Sequence, residues 1–280
     1  MEKVKKRLII LTFLIFNILP FLTLAFAAML PNEITFKGVG ITNWKISDIV
    51  WLDNFKEIFN SEYNFIWSAL GRTFILCLIT VAIVIIISNV TSYILTRYNF
   101  KLRDILSKLV LLGYILPPII LVIPFMAFQK TMQFNNNYFF LVLPYTALTL
   151  PIAIWLMQWY YHLIPNEIDK ITDLDNIKGI KKFWLGYYDY IKYGVVSIII
   201  FTFILTWNDV AFSELLSGDD GNKTLAVLIQ QRVLIDEVEV KKSTFAAISL
   251  IISLISSVCI GILLYFVESK TDKMVNNLYE

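Results

Sequence analysis

The sequence predicts an all-α, polytopic membrane protein with six transmembrane helices. Hydrophobic residues fill 58% of the 280 positions and charged residues only 16%, well below the roughly 25% charge of soluble domains. Mean hydropathy is +0.68. The apolar residues also gather in runs close to the about 20 that a helix needs to cross a hydrocarbon core. Several runs contain prolines, which membrane helices tolerate because neighbouring helices satisfy the freed carbonyls.

The first span is expected over Leu8–Leu30, after Lys3, Lys5, Lys6 and Arg7; it is too long for the apolar region of a secretory leader and is read as an uncleaved helix. Residues 31–64 are mixed and aromatic, and Ile46–Phe59 is expected to lie as an interfacial helix. A second span runs from Ala69 to Leu95, followed by Arg97, Lys101, Arg103 and Lys108. The third covers Leu109–Phe128 with Pro117, Pro118 and Pro124, and the fourth Tyr138–Tyr161 with Pro144 and Pro151; such prolines point to bent helices around a cavity. The clean apolar run Val195–Leu205 is too short for a fifth span, so that span is expected to continue through Trp207, Asn208 and Asp209. This puts Asp209 roughly 15 residues, or about 22 Å, up the helix. The last span is expected over Phe245–Val267. The organisation is then 1–68, a first helix with an external segment, and 69–280, a five-helix core that includes the loop 162–193.

Lysine and arginine counts set the orientation. With both termini inside, the cytosol receives the Lys3–Arg7 cluster, the Arg97–Lys108 cluster and Lys170, Lys178, Lys181, Lys182 and Lys192, with Lys270 and Lys273 at the end. The positive-inside rule favours that arrangement. A net charge of +2 argues against a nucleic-acid partner, which demands a basic face. Cys77 and Cys259 lie inside apolar runs and read as small hydrophobes, and His162 reads as a boundary residue; no metal or catalytic site is implied.

Residues 162–193 form the one long charged segment between strongly apolar ones on the expected cytosolic side. Ile164, Ile168, Ile171 and Leu174 recur at spacings of four, three and three, the stripe of an amphipathic helix. Pro165 suits its first turn, and Glu167 and Asp169 favour its N-terminal dipole end. Asn176 and Gly179 both tolerate left-handed backbone, so the helix can stop there and a second, carrying Phe183 and Trp184, can leave. A greasy face on the aqueous side calls for a covering partner. In the fifth span, Thr202, Thr206 and Asp209, four and three apart, are expected on one helical face, with Asn208 beside it and Trp207 as an apolar platform. Hydroxyl, amide and carboxylate groups beside an indole suit a polyol, whose hydroxyls need hydrogen-bond partners while its C–H faces pack on rings.

These residues carry a resemblance. The pattern Ile164-Pro165-x-Glu167 followed by Asp173-Leu174-Asp175, ahead of the penultimate span, resembles the coupling loop of binding-protein-dependent ABC importer permeases. Leu116-Pro117-Pro118 with Ile123-Pro124, and Phe201-Thr202-Phe203 leading to Trp207-Asn208-Asp209, then Thr224-Leu225-Ala226-Val227 with Gln230-Gln231, resemble the carbohydrate permeases of the MalG type. The similarity runs from about Ser68 to the end. It differs at Lys170-Ile171-Thr172, where the family has Glu-Ala-Ala, at Asn176, where it has Gly, and at Tyr188-Asp189, where it has Leu-Pro.

The resemblance implies a type I ABC importer permease fold and a sugar or similar polyhydroxylated solute. It also implies an ATPase subunit dimer docked on Glu167, Ile171, Leu174, Asp175 and Asn176, a second, MalF-like permease and an extracytoplasmic solute-binding protein, in a bacterial plasma membrane. No Walker A motif is present in the sequence, so ATP and Mg belong to the ATPase and this chain binds no cofactor. Two other readings remain open on the residues alone: an ion-coupled secondary transporter using Asp209, and a non-transporting membrane scaffold.

Overall fold

The computed structural model describes residues 2–30, 53–59, 64–115, 117–134, 137–177, 179–182, 186–234, 243–258 and 261. Every regular element among them is helical: α1 (Glu2–Ala28), α2 (Asp53–Glu57), α3 (Asn64–Arg97), α4 (Arg103–Ile115), α5 (Pro118–Thr131), α6 (Val142–His162), α7 (Asn166–Leu174), α8 (Ile180–Lys182), α9 (Tyr188–Trp207), α10 (Ala211–Leu216), α11 (Leu225–Leu234) and α12 (Ser243–Val258). A 3₁₀ turn, Tyr138–Leu141, leads into α6.

Three helices among the described residues are long and apolar enough to cross a membrane, namely α3, Tyr138–His162 and α9. The pair α4 and α5, bent by 95°, makes a fourth if taken as one broken span. Expected spans two, four and five thus have helical counterparts of spanning length, and the third has one only when α4 and α5 are counted together. The first and last coincide with the shorter apolar helices Ile15–Ala28 and Ser243–Val258. The expected interfacial helix is described only as α2, its residues 46–52 lying outside the described residues, as do Leu116, Phe183, Trp184 and residues 262–267.

Two expectations need correction. The third span is not one helix over 109–128: Pro118 opens α5, and the Pro117 before it sits at φ −57, ψ 129, as X-Pro sterics favour. The fifth span gains its length at the other end. It starts at Tyr188, seven residues ahead of the clean apolar run, and stops at Trp207, because tyrosines and a snorkelling lysine are at home at the membrane boundary. Lys192 there pairs with Asp189 at 2.8 Å.

The chain divides into two compact units, 1–68 with 229–262, and 69–228 with 263–280. In the first, the buried Asn54 side chain donates to Ala28 O at 2.8 Å and Leu30 O at 2.9 Å, so α2 satisfies the orphan carbonyls at the end of α1. Thr244 at the start of α12 donates to Glu57 at 2.8 Å.

Among the described residues, the second unit shows two apolar layers. One joins Leu76, Val122, Phe140, Tyr145, Phe212 and Leu216, with Phe125 edge-on to both Phe140 and Phe212. The other joins Val84, Met157, Tyr161, Ile164, Tyr187, Ile191 and Ile198. Lipid tails are as apolar as leucine, so close packing and interhelical hydrogen bonds hold such layers. Ser92 Oγ of α3 accordingly donates to Ile154 O of α6 at 2.8 Å. Among the described glycines the tightest site is Gly194, where a Cβ would sit 2.6 Å from Tyr160 Cδ2 and 3.0 Å from Met157 Sδ.

Gly194→Val therefore drives α9 off α6, and overpacking of this kind costs about 1–3 kcal/mol. Thermal unfolding of the purified protein should show a lowered midpoint for Gly194→Val and none for Gly71→Ala, whose Cβ would meet nothing within 4 Å. Equal midpoints for Gly194→Val and the parent would contradict the close packing.

Candidate functional site

The loop between α6 and α9 is built around α7. Pro165, at φ −59 and ψ 142, turns the chain out of the end of α6, and Glu167 and Asp169 stand in the first turn where the helix dipole favours anions. The helix stops at Leu174. Asn176 takes φ +56 and Gly179 φ +60, the left-handed backbone expected of these two residues. Ile177 N then donates to Thr172 O at 2.8 Å, which closes the C-terminal turn.

The predicted stripe does not form one face. Ile164 is buried and Ile168 packs on the layer around Met157 and Tyr187, whereas Ile171 is 54% and Leu174 85% exposed. Ile164 precedes the helix, so the inward phase is set by Ile168 and Thr172, four residues apart. Thr172 can be buried because its hydroxyl donates to Ile168 O at 2.8 Å; Gly186 lies against it, a Cβ there falling 3.1 Å from Thr172 Cγ2. Ile171 and Leu174, three apart, form a separate outward apolar pair beside the exposed Glu167, Asp175 and Asn176.

What fixes α7 is a cluster absent from the sequence-based site. Arg97, at the end of α3, donates through Nη1 to Asp169 Oδ2 at 2.9 Å and Asn166 Oδ1 at 3.3 Å, and through Nη2 to Tyr161 O and Ile164 O, both at 2.8 Å. Asp169 also accepts from Tyr187 Oη and pairs with Lys182 Nζ at 3.3 Å, which reaches Asp173 at 2.8 Å. Burial and the hydrogen bond to Asp169 push the Tyr187 phenol well above its ordinary range, so it stays protonated and donates. Burial opposes the charge on Lys182, but hydrogen bonds to Asp173 and Asp169 outweigh it and hold the ammonium above its usual value. The sequence signal was present: an arginine closing a span and an aspartate on the inward phase of α7.

At the other end of α9 the sequence-predicted residues separate. Thr202 and Thr206 are buried, and their hydroxyls have no hydrogen-bond partner among the described residues. Trp207 is buried and stacks on Phe203 with ring centroids 5.2 Å apart. Asn208 is exposed and caps the helix, its Nδ2 donating to Ile204 O at 2.8 Å. The single helical face expected for Thr202, Thr206 and Asp209 does not extend to Asp209, because α9 ends at Trp207. Asp209 Oδ2 instead accepts from Tyr145 Oη at 3.0 Å and from Phe212 N and Ser213 N at 3.2 Å each, so from one residue ahead of the N-cap Val210 it satisfies two orphan N–H groups in the first turn of α10. Nearby, Ser213 Oγ accepts from Thr224 N at 2.9 Å, Thr73 Oγ1 from Leu225 N at 2.9 Å, and Gln129 Nε2 donates to Leu216 O at 2.6 Å.

Residues 88–273 match the family described as the binding-protein-dependent transport system inner membrane component. This chain belongs to that family. Relatives include the trehalose transport system permease protein SugB of Mycobacterium tuberculosis, 25% identical over 75% of this chain and 76% of that one. Another is the trehalose/maltose transport system permease protein MalG of Thermococcus litoralis, 24% identical over 81% of each. The fold matches a chain in the crystal structure of a bacterial ABC transporter involved in import of the acidic polysaccharide alginate, with TM-score 0.75, 14% identity and 95% of each chain covered. The protein is thus an inner-membrane ABC importer permease, a transport subunit rather than an enzyme, working with an ATPase and a solute-binding protein. The ion-coupled reading of Asp209 falls with that assignment.

In the permease, Arg97→Ala would leave two terminal carbonyls and a half-buried carboxylate short of their donor, a loss of about 2 kcal/mol or more of local stability. Limited proteolysis should cut within 164–182 faster in Arg97→Ala, and Arg97→Lys should not restore protection, because lysine lacks the guanidinium fork. Unchanged cleavage in Arg97→Ala would show that the cluster does not hold α7.

Proposed function

We propose that the chain is the permease subunit of an ATP-driven importer for a carbohydrate or similar polyhydroxylated solute, and that α7 is where the ATPase pushes on it. The observation that carries this is the outward pair Ile171 and Leu174 on a helix whose inward side is fastened to the spans. An apolar pair held rigidly at the surface is what a partner groove needs. Glu167 and Asp175 stand at its edge as polar contacts, and the left-handed Asn176 ends the helix so that the chain leaves the interface. The groove that receives it accommodates Ile171, a bulkier side chain than the family's alanine. A second, MalF-like permease completes the pathway, ATP and Mg are held by the ATPase dimer, and both termini face the cytoplasm.

The solute class draws support from relatives named for trehalose and maltose transport and from α9. Thr202 and Thr206 offer buried hydroxyls without partners among the described residues, and the Trp207–Phe203 stack offers an aromatic wall for the C–H face of a sugar. Asn208 is the exposed amide at the outer end of that helix. Asp209 contributes by holding α10 in place against Tyr145.

The test uses the complex reconstituted in liposomes with its ATPase and solute-binding protein. ATP hydrolysis should rise on addition of one or more of a panel of di- and oligosaccharides. Leu174→Glu should abolish that rise and the co-purification of the ATPase while leaving membrane insertion intact, since it puts an unpaired charge into a buried contact at a cost of several kcal/mol. Stimulation by no saccharide would overturn the solute class, and normal co-purification of Leu174→Glu would overturn the docking role.

A further inference from the structure

A cavity of about 430 Å³ lies in the second unit, beside α3 where that helix meets α6 and the start of α9, within the about 300–1,000 Å³ typical of ligand sites. Its lining is graded along α3. Ile85, Ile86 and Val90 wall the part nearer the middle of the span, and Tyr93 and Tyr98 the part nearer Arg97, joined there by Tyr161 and Tyr187. Ile86 and Val90 are 65% and 56% exposed on a membrane-spanning helix, so the mouth opens on the side of that helix rather than at its end. Two buried polar atoms at this site, Asn89 Oδ1 and Tyr161 Oη, have no hydrogen-bond partner among the described residues. Both residues line the cavity and are nine-tenths or more buried. Leaving such atoms unpaired is costly.

We propose that this cavity is a binding site for a membrane glycerophospholipid, one acyl chain lying along Ile85, Ile86 and Val90 and the glycerol ester region against the tyrosines. The gradient from aliphatic to phenolic lining is that of the bilayer itself, where tyrosines collect at the level of the headgroups. Among the described residues, the cations Arg97 and Lys182 approach the Tyr187 ring at 5.8 and 6.0 Å but are already matched by Asp169 and Asp173. The site therefore reads the ester region and chain, not the headgroup charge. A lipid seated here touches Tyr187, which donates to Asp169, and so packs against the support of α7.

The test places the assembled transporter in liposomes containing a phosphatidylcholine with a photoactivatable group midway along one acyl chain. Adducts should concentrate on the peptides carrying Ile86–Val90 and Tyr161. They should be equally strong when the labelled lipid is a phosphatidylglycerol. Val90→Trp, which fills the mouth, should bring them to background. Tyr161→Phe removes only an oxygen without a partner, so the fold is kept, and labelling there should fall about fivefold, the worth of one net hydrogen bond. Labelling spread evenly over the exposed apolar faces of α3 and α5, or unchanged by both substitutions, would overturn the proposal. So would a cross-link from α3 at Val90 to a helix of the second permease, which would make the cavity a subunit contact.

Discussion

The loop side of this permease depends on one guanidinium. Arg97 binds the carbonyls of Tyr161 and Ile164 and the carboxylate of Asp169 at once, and so joins the ends of three helices, α3, α6 and α7. A helix end leaves its last carbonyls without partners, and a planar fork with five donors can satisfy several of them while pairing with an acid. The side chain is only 11% exposed, so these interactions are less screened than those of a surface pair. Asp169 is in turn the common acceptor for Arg97, Tyr187 and Lys182, which brings the start of α9 into the same junction.

From that junction the rest of the mechanism follows as mechanics. With its inward side tied down by Ile168, Asp169 and Thr172, α7 presents Ile171 and Leu174 outward, and under the docking role we propose it would pass on the displacement that the ATPase imposes. Helix α9 extends about 30 Å at 1.5 Å per residue, from Tyr187 at the junction to Asp209 at the first turn of α10, and Gly194 keeps it in contact with α6. A shift of α7 is therefore felt at the helix end that carries Thr206 and Trp207. Coupling of this kind needs the ATPase and the spans to favour conformations in common, and a stiff connection between them makes the two preferences one.

Much of this was legible in the chain. Run lengths placed the second and fourth spans, and Asn176 and Gly179 marked the stop of α7 because few residues accept positive φ; the third broke at Pro117–Pro118, and the fifth began and ended earlier than its apolar run implied. The face of α7 was not legible. Ile164, Ile168, Ile171 and Leu174 fit helical spacing as a set, but a proline between the first two starts the helix late, and a threonine able to bond its own backbone replaced Ile171 on the inside. In the sequence Arg97 is one more positive charge flanking a span, since its partners lie 64 to 72 residues away in the chain. Asp209 is illegible for a related reason: continued helical spacing makes it a face residue, whereas α9 ends two residues earlier at Trp207 and the carboxylate bonds the first turn of the next helix.

The central claim is that α7 moves with the spans as one body. Spin labels at Lys170 and at Lys101, just beyond the end of α3, would report it through pulsed-EPR distances in the reconstituted transporter, with and without ATP trapped in the ATPase. The account predicts the same narrow distance in both states, and a broadened, state-dependent distribution once Arg97 is replaced by alanine. A distance that changes between the two states with Arg97 in place would contradict it.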